Sequence, residues 1–251
     1  MSYRAGQTKP EKPVLPVEAS GSAECVPGMD ARQWREQWAG MVRTPEDMVS
    51  FVDAVGCCTA MELPGYPDFP NQYSVMGELD ATTPHPWFWK DDLHIEKRLY
   101  YTRVFGGQPG FISYTLLPAL MATNGAVADE LLFNGALSPE AQQIYHAIEA
   151  QGPMPTKDLK RLLTPDAKRC ANRMLIDLDR KLLITKTGIT GRTRGTYSYI
   201  WDLVERWVPE LLVAADRLGR KQAATMLREH LAAFGVPPDS KFYAKVLGWA
   251  P

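Results

Sequence analysis

LSPEAQQIYHAIEAQGPMPTKDLKRLLTPDAKRCANRMLIDLDRKLLITKTGITGRTRGTYSYIWD, residues 137–202, carries the pattern that decides the fold. Pro139 to Gln151 places apolar residues at helical spacing, and Gly152-Pro153 breaks the run. A short second helix is expected from Thr156 to Leu163. Thr164-Pro165-Asp166 then offers a capping hydroxyl, a proline for the first turn and an acid on the positive end of the dipole. That third helix is expected to run to about Leu182. Two β-prone runs follow, Leu183–Ile189 and Thr196–Asp202, joined by the glycine-flanked tip 190–195. Three helices followed by a hairpin predict a winged helix-turn-helix, a motif that most often puts its third helix in a nucleic-acid groove.

Charge supports that reading. From Thr156 to Gly195 there are eleven Lys and Arg against four Asp, a net of +7, whereas the whole chain carries −1. The excess is therefore concentrated where the topology places a groove reader. Helical spacing gives the third helix two faces. Ala171, Met174, Leu175, Leu178 and Leu182 form the core stripe, and Lys168, Arg169, Asn172, Arg173, Ile176 and Arg180 lie opposite. Arginine can fork onto guanine, asparagine suits adenine, and marginal lysines suit phosphate. Arg192 and Arg194 on the tip are placed for a minor groove or a phosphate. The expected DNA-binding set is Lys168, Arg169, Asn172, Arg173, Arg180, Arg192 and Arg194. Tyr197, Tyr199 and Trp201 alternate on one strand face, as residues that pack the hairpin onto the core.

Outward from this segment the chain reads as mainly α with small β, an α+β class. Residues 1–28 are rich in Pro, Gly and Ser and are expected to form a flexible arm. Residues 29–136 read as an N-terminal helical domain, and 203–251 as a C-terminal helical extension. In the former, Thr44-Pro45-Glu46-Asp47 is a strong helix start and Gly56 a stop. Cys57–Leu63 is strand-like, Asn71–Leu79 a short helix, and a helix capped by Asp91 or Asp92 is expected to reach Phe105, before a short strand at 111–113. Helix followed by strand thus recurs, which makes a second, degenerate winged helix-turn-helix expected within 29–136.

Composition is that of a globular protein, with 45% hydrophobic and 23% charged residues, so wholesale disorder is excluded. No apolar run approaches the roughly 20 residues that span a bilayer, and the N-terminus has no apolar signal core. A cytoplasmic, nucleoid-associated protein with no membrane partner is expected. The four cysteines show no C-x-x-C spacing, Cys57-Cys58 reads as small core residues, and the four histidines are scattered, so no metal and no cofactor is expected. Asp91-Asp92 reads as a helix start rather than an acid/base pair. G-x-S-x-G, the phosphate loop, the dinucleotide fingerprint and H-E-x-x-H are all missing.

The segment order, with Phe51-Val-Asp-Ala-Val-Gly56, Trp89-Lys-Asp-Asp-Leu93, Phe105-Gly-Gly-Gln-Pro-Gly-Phe-Ile-Ser113 and Tyr197-Ser-Tyr-Ile-Trp-Asp-Leu-Val-Glu-Arg-Trp207, resembles AlkZ-related proteins over roughly residues 30–250. These are similar to the AlkZ/YcaQ winged-helix DNA glycosylases, which excise alkylated or crosslinked bases. The resemblance implies tandem winged helices wrapped on double-stranded DNA. In catalytic members a Gln-x-Gln or Gln-x-Asp pair positions the attacking water after a Leu-Gly-like step. If Val55-Gly56 is that step, Thr59-Ala60-Met61 stands in the matching place, with neither glutamine nor aspartate. No catalytic residue is therefore carried over. The expectation is a DNA-binding relative without the catalytic pair. An active DNA glycosylase and a winged helix that docks a protein partner are the alternatives.

Overall fold

The computed structural model describes residues 31–125, 131 and 134–249. The expected arm at 1–28 lies outside the described residues. The molecule is mainly α-helical with two small antiparallel sheets of three strands each.

The N-terminal half contains α1 (Ala31–Trp38), α2 (Pro45–Val55), β1 (Cys57–Thr59), α3 (Gln72–Val75), α4 (Pro86–Ile95), β2 (Tyr100–Thr102) and β3 (Gly110–Ile112), followed by α5 (Leu117–Asn124). The α2 start is a closed capping box. The Thr44 hydroxyl accepts from the Asp47 amide at 3.1 Å, and the Asp47 carboxylate accepts from the Thr44 amide at 3.0 Å. The helix ends at Gly56, whose φ of 74° falls in the left-handed region. A Cβ there would also lie 2.6 Å from His230 Nε2, so both backbone and packing require glycine.

One expectation holds in part and one fails. Of the apolar run 57–63, Cys57–Thr59 forms a strand, and Leu63 is joined to Tyr66 by an isolated bridge. The helix expected to reach Phe105 starts at Pro86 and ends at Ile95. Its cap is His85, whose Nδ1 accepts from the Trp87 amide at 3.1 Å, so Asp91 and Asp92 lie inside the helix and cap nothing. Lys97, at φ 56°, turns the chain away, and Tyr100–Thr102 pairs with β3 instead. Strand pairing with Gly110–Ile112 overrides the local helical pattern.

Residues 137–203 fold in the order expected: α6 (Pro139–Gln151), β4 (Met154–Pro155), α7 (Thr156–Leu162), α8 (Pro165–Arg180), β5 (Ile184–Ile189) and β6 (Tyr199–Leu203). Ser138 and Thr164 cap α6 and α8 by accepting from Ala141 N and Ala167 N. The sheet order is β4-β6-β5. Residues 45–112 repeat both the element order and the strand order, there β1-β3-β2. The chain ends in α9 (Val204–Trp207), α10 (Pro209–Leu218), α11 (Arg220–Ala232) and α12 (Phe242–Lys245), with α10 and α11 packed on α5.

Three apolar clusters fill the molecule. One lies among α1, α2, α4 and the first sheet, one inside α6–α8 and the second sheet, and one joins α5 to the C-terminal helices. The two halves meet where α4 packs on β5. Trp89, Lys90, Asp91, Leu93 and His94 of α4 are buried, and His94 Nε2 lies 3.0 Å from Thr185 Oγ1 of β5. The third helix of the 45–112 repeat is covered on this side, and α8, its counterpart, keeps an open face.

Candidate nucleic-acid interface

The two faces of α8 separate as its sequence requires. Ala171, Leu175 and Leu178 are buried, and Met174 packs at the edge of the same cluster. Lys168, Arg169, Asn172 and Arg173 are exposed on the opposite side, and Arg180 is half-buried in the last turn. Among the described residues, no ion pair engages Lys168, Arg169 or Arg173. Their donors face solvent and remain available to an anionic partner.

One cation of the positive segment is unavailable. Lys186 is buried, and its Nζ lies 2.6 Å from Asp179 Oδ2. Burial pushes the lysine pKa down and the aspartate pKa up, and each charge opposes that shift in the other. Because the pair cancels, the solvent-facing excess of the segment is unchanged.

Asn172 stands at the rim of a cleft of about 320 Å³ between α8 and β6. Leu175 and Ile176 form one wall, Tyr197 and Tyr199 the other, and Lys160 and Arg103 reach in from α7 and from the end of β2. Arg103 was not foreseen, since it comes from the N-terminal half. No local pattern could have marked it.

The hairpin tip is anchored rather than open. Arg192 clasps Asp92 of α4, with Nη1 3.2 Å from Oδ2 and Nη2 on Oδ1, and its guanidinium lies 5.4 Å from the centre of the Phe88 ring. Arg194 is exposed. The structure therefore groups Lys168, Arg169, Asn172 and Arg173 on one helix, sets Arg180 at its far end, and ties Arg192 to the N-terminal half.

Behind the tip, Tyr197 is the centre of a buried polar clasp. Its oxygen accepts from Lys90 Nζ at 2.8 Å, and its hydroxyl donates to Asp91 Oδ2 at 2.9 Å. Lys90 and Asp91 form an ion pair at 3.0 Å. Burial pushes the Lys90 pKa down and the Tyr197 pKa up. Tyr101, beside them, is pushed up to about 12 by burial. Tyr197, Tyr199 and Trp201 stack edge to face at 5.6 and 5.5 Å. These aromatics pack the hairpin onto the core, as their alternation implied, and Trp201 Nε1 donates to Thr156 Oγ1 at 2.9 Å.

Thr59-Ala60-Met61 lies at the end of β1. Thr59 is fully buried, and its hydroxyl donates to the Met61 carbonyl at 2.6 Å. Ala60 and Met61 border a second cavity.

A family model described as AlkZ related matches residues 42–248 of this chain. None of the curated proteins and none of the solved structures matches it. No described helix is long and apolar enough to cross a membrane.

Proposed function

The chain belongs to the AlkZ-related family, and from that premise we propose that it binds double-stranded DNA through α8 and the β5–β6 hairpin. In this reading residues 45–112 and 137–203 are tandem winged helices. The second presents the reading helix, and the first gives up its third helix to hold the hairpin. The observation that carries the proposal is the exposed, unpaired cationic face of Lys168, Arg169 and Arg173 opposite a buried apolar stripe. Such a face suits phosphates and guanine edges. The cleft holding Asn172, Lys160 and Arg103 extends it toward the hairpin.

The family links the chain to repair of alkylated DNA, and we assign it a binding role there rather than base excision. If Val55-Gly56 is the step that precedes the water-positioning pair, Met61 stands where it cannot orient water, and the Thr59 proton is already given to a carbonyl. Gel retardation of a short duplex over a range of salt tests the proposal. Affinity is expected to fall linearly in log–log form, with a slope of about −0.9 per phosphate neutralised. Alkylated duplex is expected to be bound without release of the base. Retardation that is absent or independent of salt would overturn the reading. Base release at enzyme excess would replace it with glycosylase activity.

A further inference from the structure

We infer that the cavity beside Met61 and Trp87 binds a flat, uncharged polycyclic aromatic molecule. The site stands apart from the α8 face, and the inference does not depend on the DNA-binding reading. The cavity holds about 390 Å³, within the range of small-molecule sites. Its walls are Met61, Tyr73, Met76, Trp87, Tyr101 and Phe111. Three of these are large side chains left open to water: Tyr73 is 71% exposed, Trp87 56% and Met61 52%. Single exposed apolar residues are ordinary, but a ring of them around one concavity marks a binding surface. Aromatic walls and polarisable methionines suit a planar ring system.

The polar groups on the wall decide the ligand class. All three Lys90 protons are engaged, by the Trp87 carbonyl at 2.9 Å, by Asp91 and by Tyr197. Asp91, its neighbour, neutralises its charge. His85 Nδ1 is occupied by the Trp87 amide, and Gln72 Nε2 rests 3.9 Å from Met76 Sδ. A nucleobase would set a hydrogen-bonding edge against a wall that is almost wholly apolar and whose ammonium is already engaged, and much of that edge would stay unpaired, at a cost. An apolar polycycle has no such edge. A cationic dye would find the Trp87 face already taken by Lys90 Nζ, which lies 4.2 Å from the ring centre.

Titration of the full chain with N-phenyl-1-naphthylamine, a neutral dye that brightens in apolar surroundings, tests the site. One saturable transition is expected. Met61→Asp and Tyr73→Ala, both at exposed positions, are each expected to weaken it at least about tenfold. Val213→Asp, also at an exposed position but outside the cavity, is expected to leave it unchanged. Unchanged dye affinity in both cavity variants, or no saturation, would overturn the inference. Displacement of the dye by duplex DNA with a mismatched 2-aminopurine would also overturn it, by marking the cavity as a base pocket. Gel retardation with Tyr73→Ala reads the α8 proposal separately, and unchanged retardation is the expected result.

Discussion

His94 and the Lys186–Asp179 pair carry electrostatic consequences of burial that a denaturation measurement can read. His94 Nδ1 accepts from the Tyr101 amide at 3.0 Å, so the ring proton sits on Nε2 and faces Thr185 Oγ1, also at 3.0 Å. Burial, helped by the nearby Lys186 charge, lowers its pKa from 6.5 to about 3. Between those values the unfolded chain holds a proton that the folded chain rejects. Stability from this residue is complete above pH 6.5 and is lost as pH falls toward 3, by about 1.4 kcal/mol per pH unit. His94→Asn keeps an acceptor for Tyr101 but does not titrate. Urea midpoints at about pH 7 and pH 5 should therefore drop more in the wild type than in the variant. Equal drops would refute this account. Lys186→Met leaves the Asp179 charge buried without its partner and should cost about 3–5 kcal/mol. Adding Asp179→Asn should recover most of that loss in the same denaturant measurement, and no recovery would mean that packing, not charge, explains the cost.

The α8 helix and the hairpin separate two kinds of DNA contact that retardation over salt can distinguish. If Arg169 and Arg173 read bases, each alanine variant loses about 1–3 kcal/mol and relaxes sequence preference; if they hold phosphates, the salt slope falls by about one. Either result fits the proposed face, and an unchanged affinity does not. Asp92→Asn releases Arg192 from its clasp and removes an anion beside the hairpin. Tighter binding with a slope steeper by about 0.9 is expected, and an identical slope would show that the tip never meets DNA. The face of α8 was legible in the sequence because the breaker Gly152-Pro153 and the start Thr164-Pro165-Asp166 fix where that helix begins and its wheel with it. The segment 86–105 was misread because its true cap is a histidine, a rare acceptor for that role, and because Tyr100–Thr102 becomes a strand only through pairing with Gly110–Ile112. The clasp of Asp91 with Tyr197 spans 106 positions, a separation on which helical and strand periodicity carry no information.

The C-terminal helices read in the sequence as an extension, yet they complete a core. Buried α5 side chains Leu117, Leu120 and Met121 pack in one cluster with Leu211, Leu227 and Leu231. Phe242 meets Tyr66 edge to face at 4.8 Å and stacks on Phe69 at 5.9 Å, so the last helix closes over a loop of the N-terminal half. His230 Nε2 lies 3.0 Å from the Val55 carbonyl and donates to it, bringing α11 against the end of α2 where Gly56 leaves room for the ring. Val204, Val208, Leu211, Leu227, Leu231, Phe234 and Phe242 are all buried. At about 1.5–3 kcal/mol for each side chain, their burial matches or exceeds the net stability of about 5–15 kcal/mol typical of a whole domain. A chain ending at Leu203 keeps every cation of α8 but strips the cover from α5. It should lose the cooperative thermal transition and bind apolar dyes broadly, with many weak sites in place of one. Differential scanning calorimetry on the full and shortened chains decides the matter. A cooperative transition near the temperature of the full chain would show that the two repeated units stand without the C-terminal helices, and that the cores are less interdependent than their packing implies.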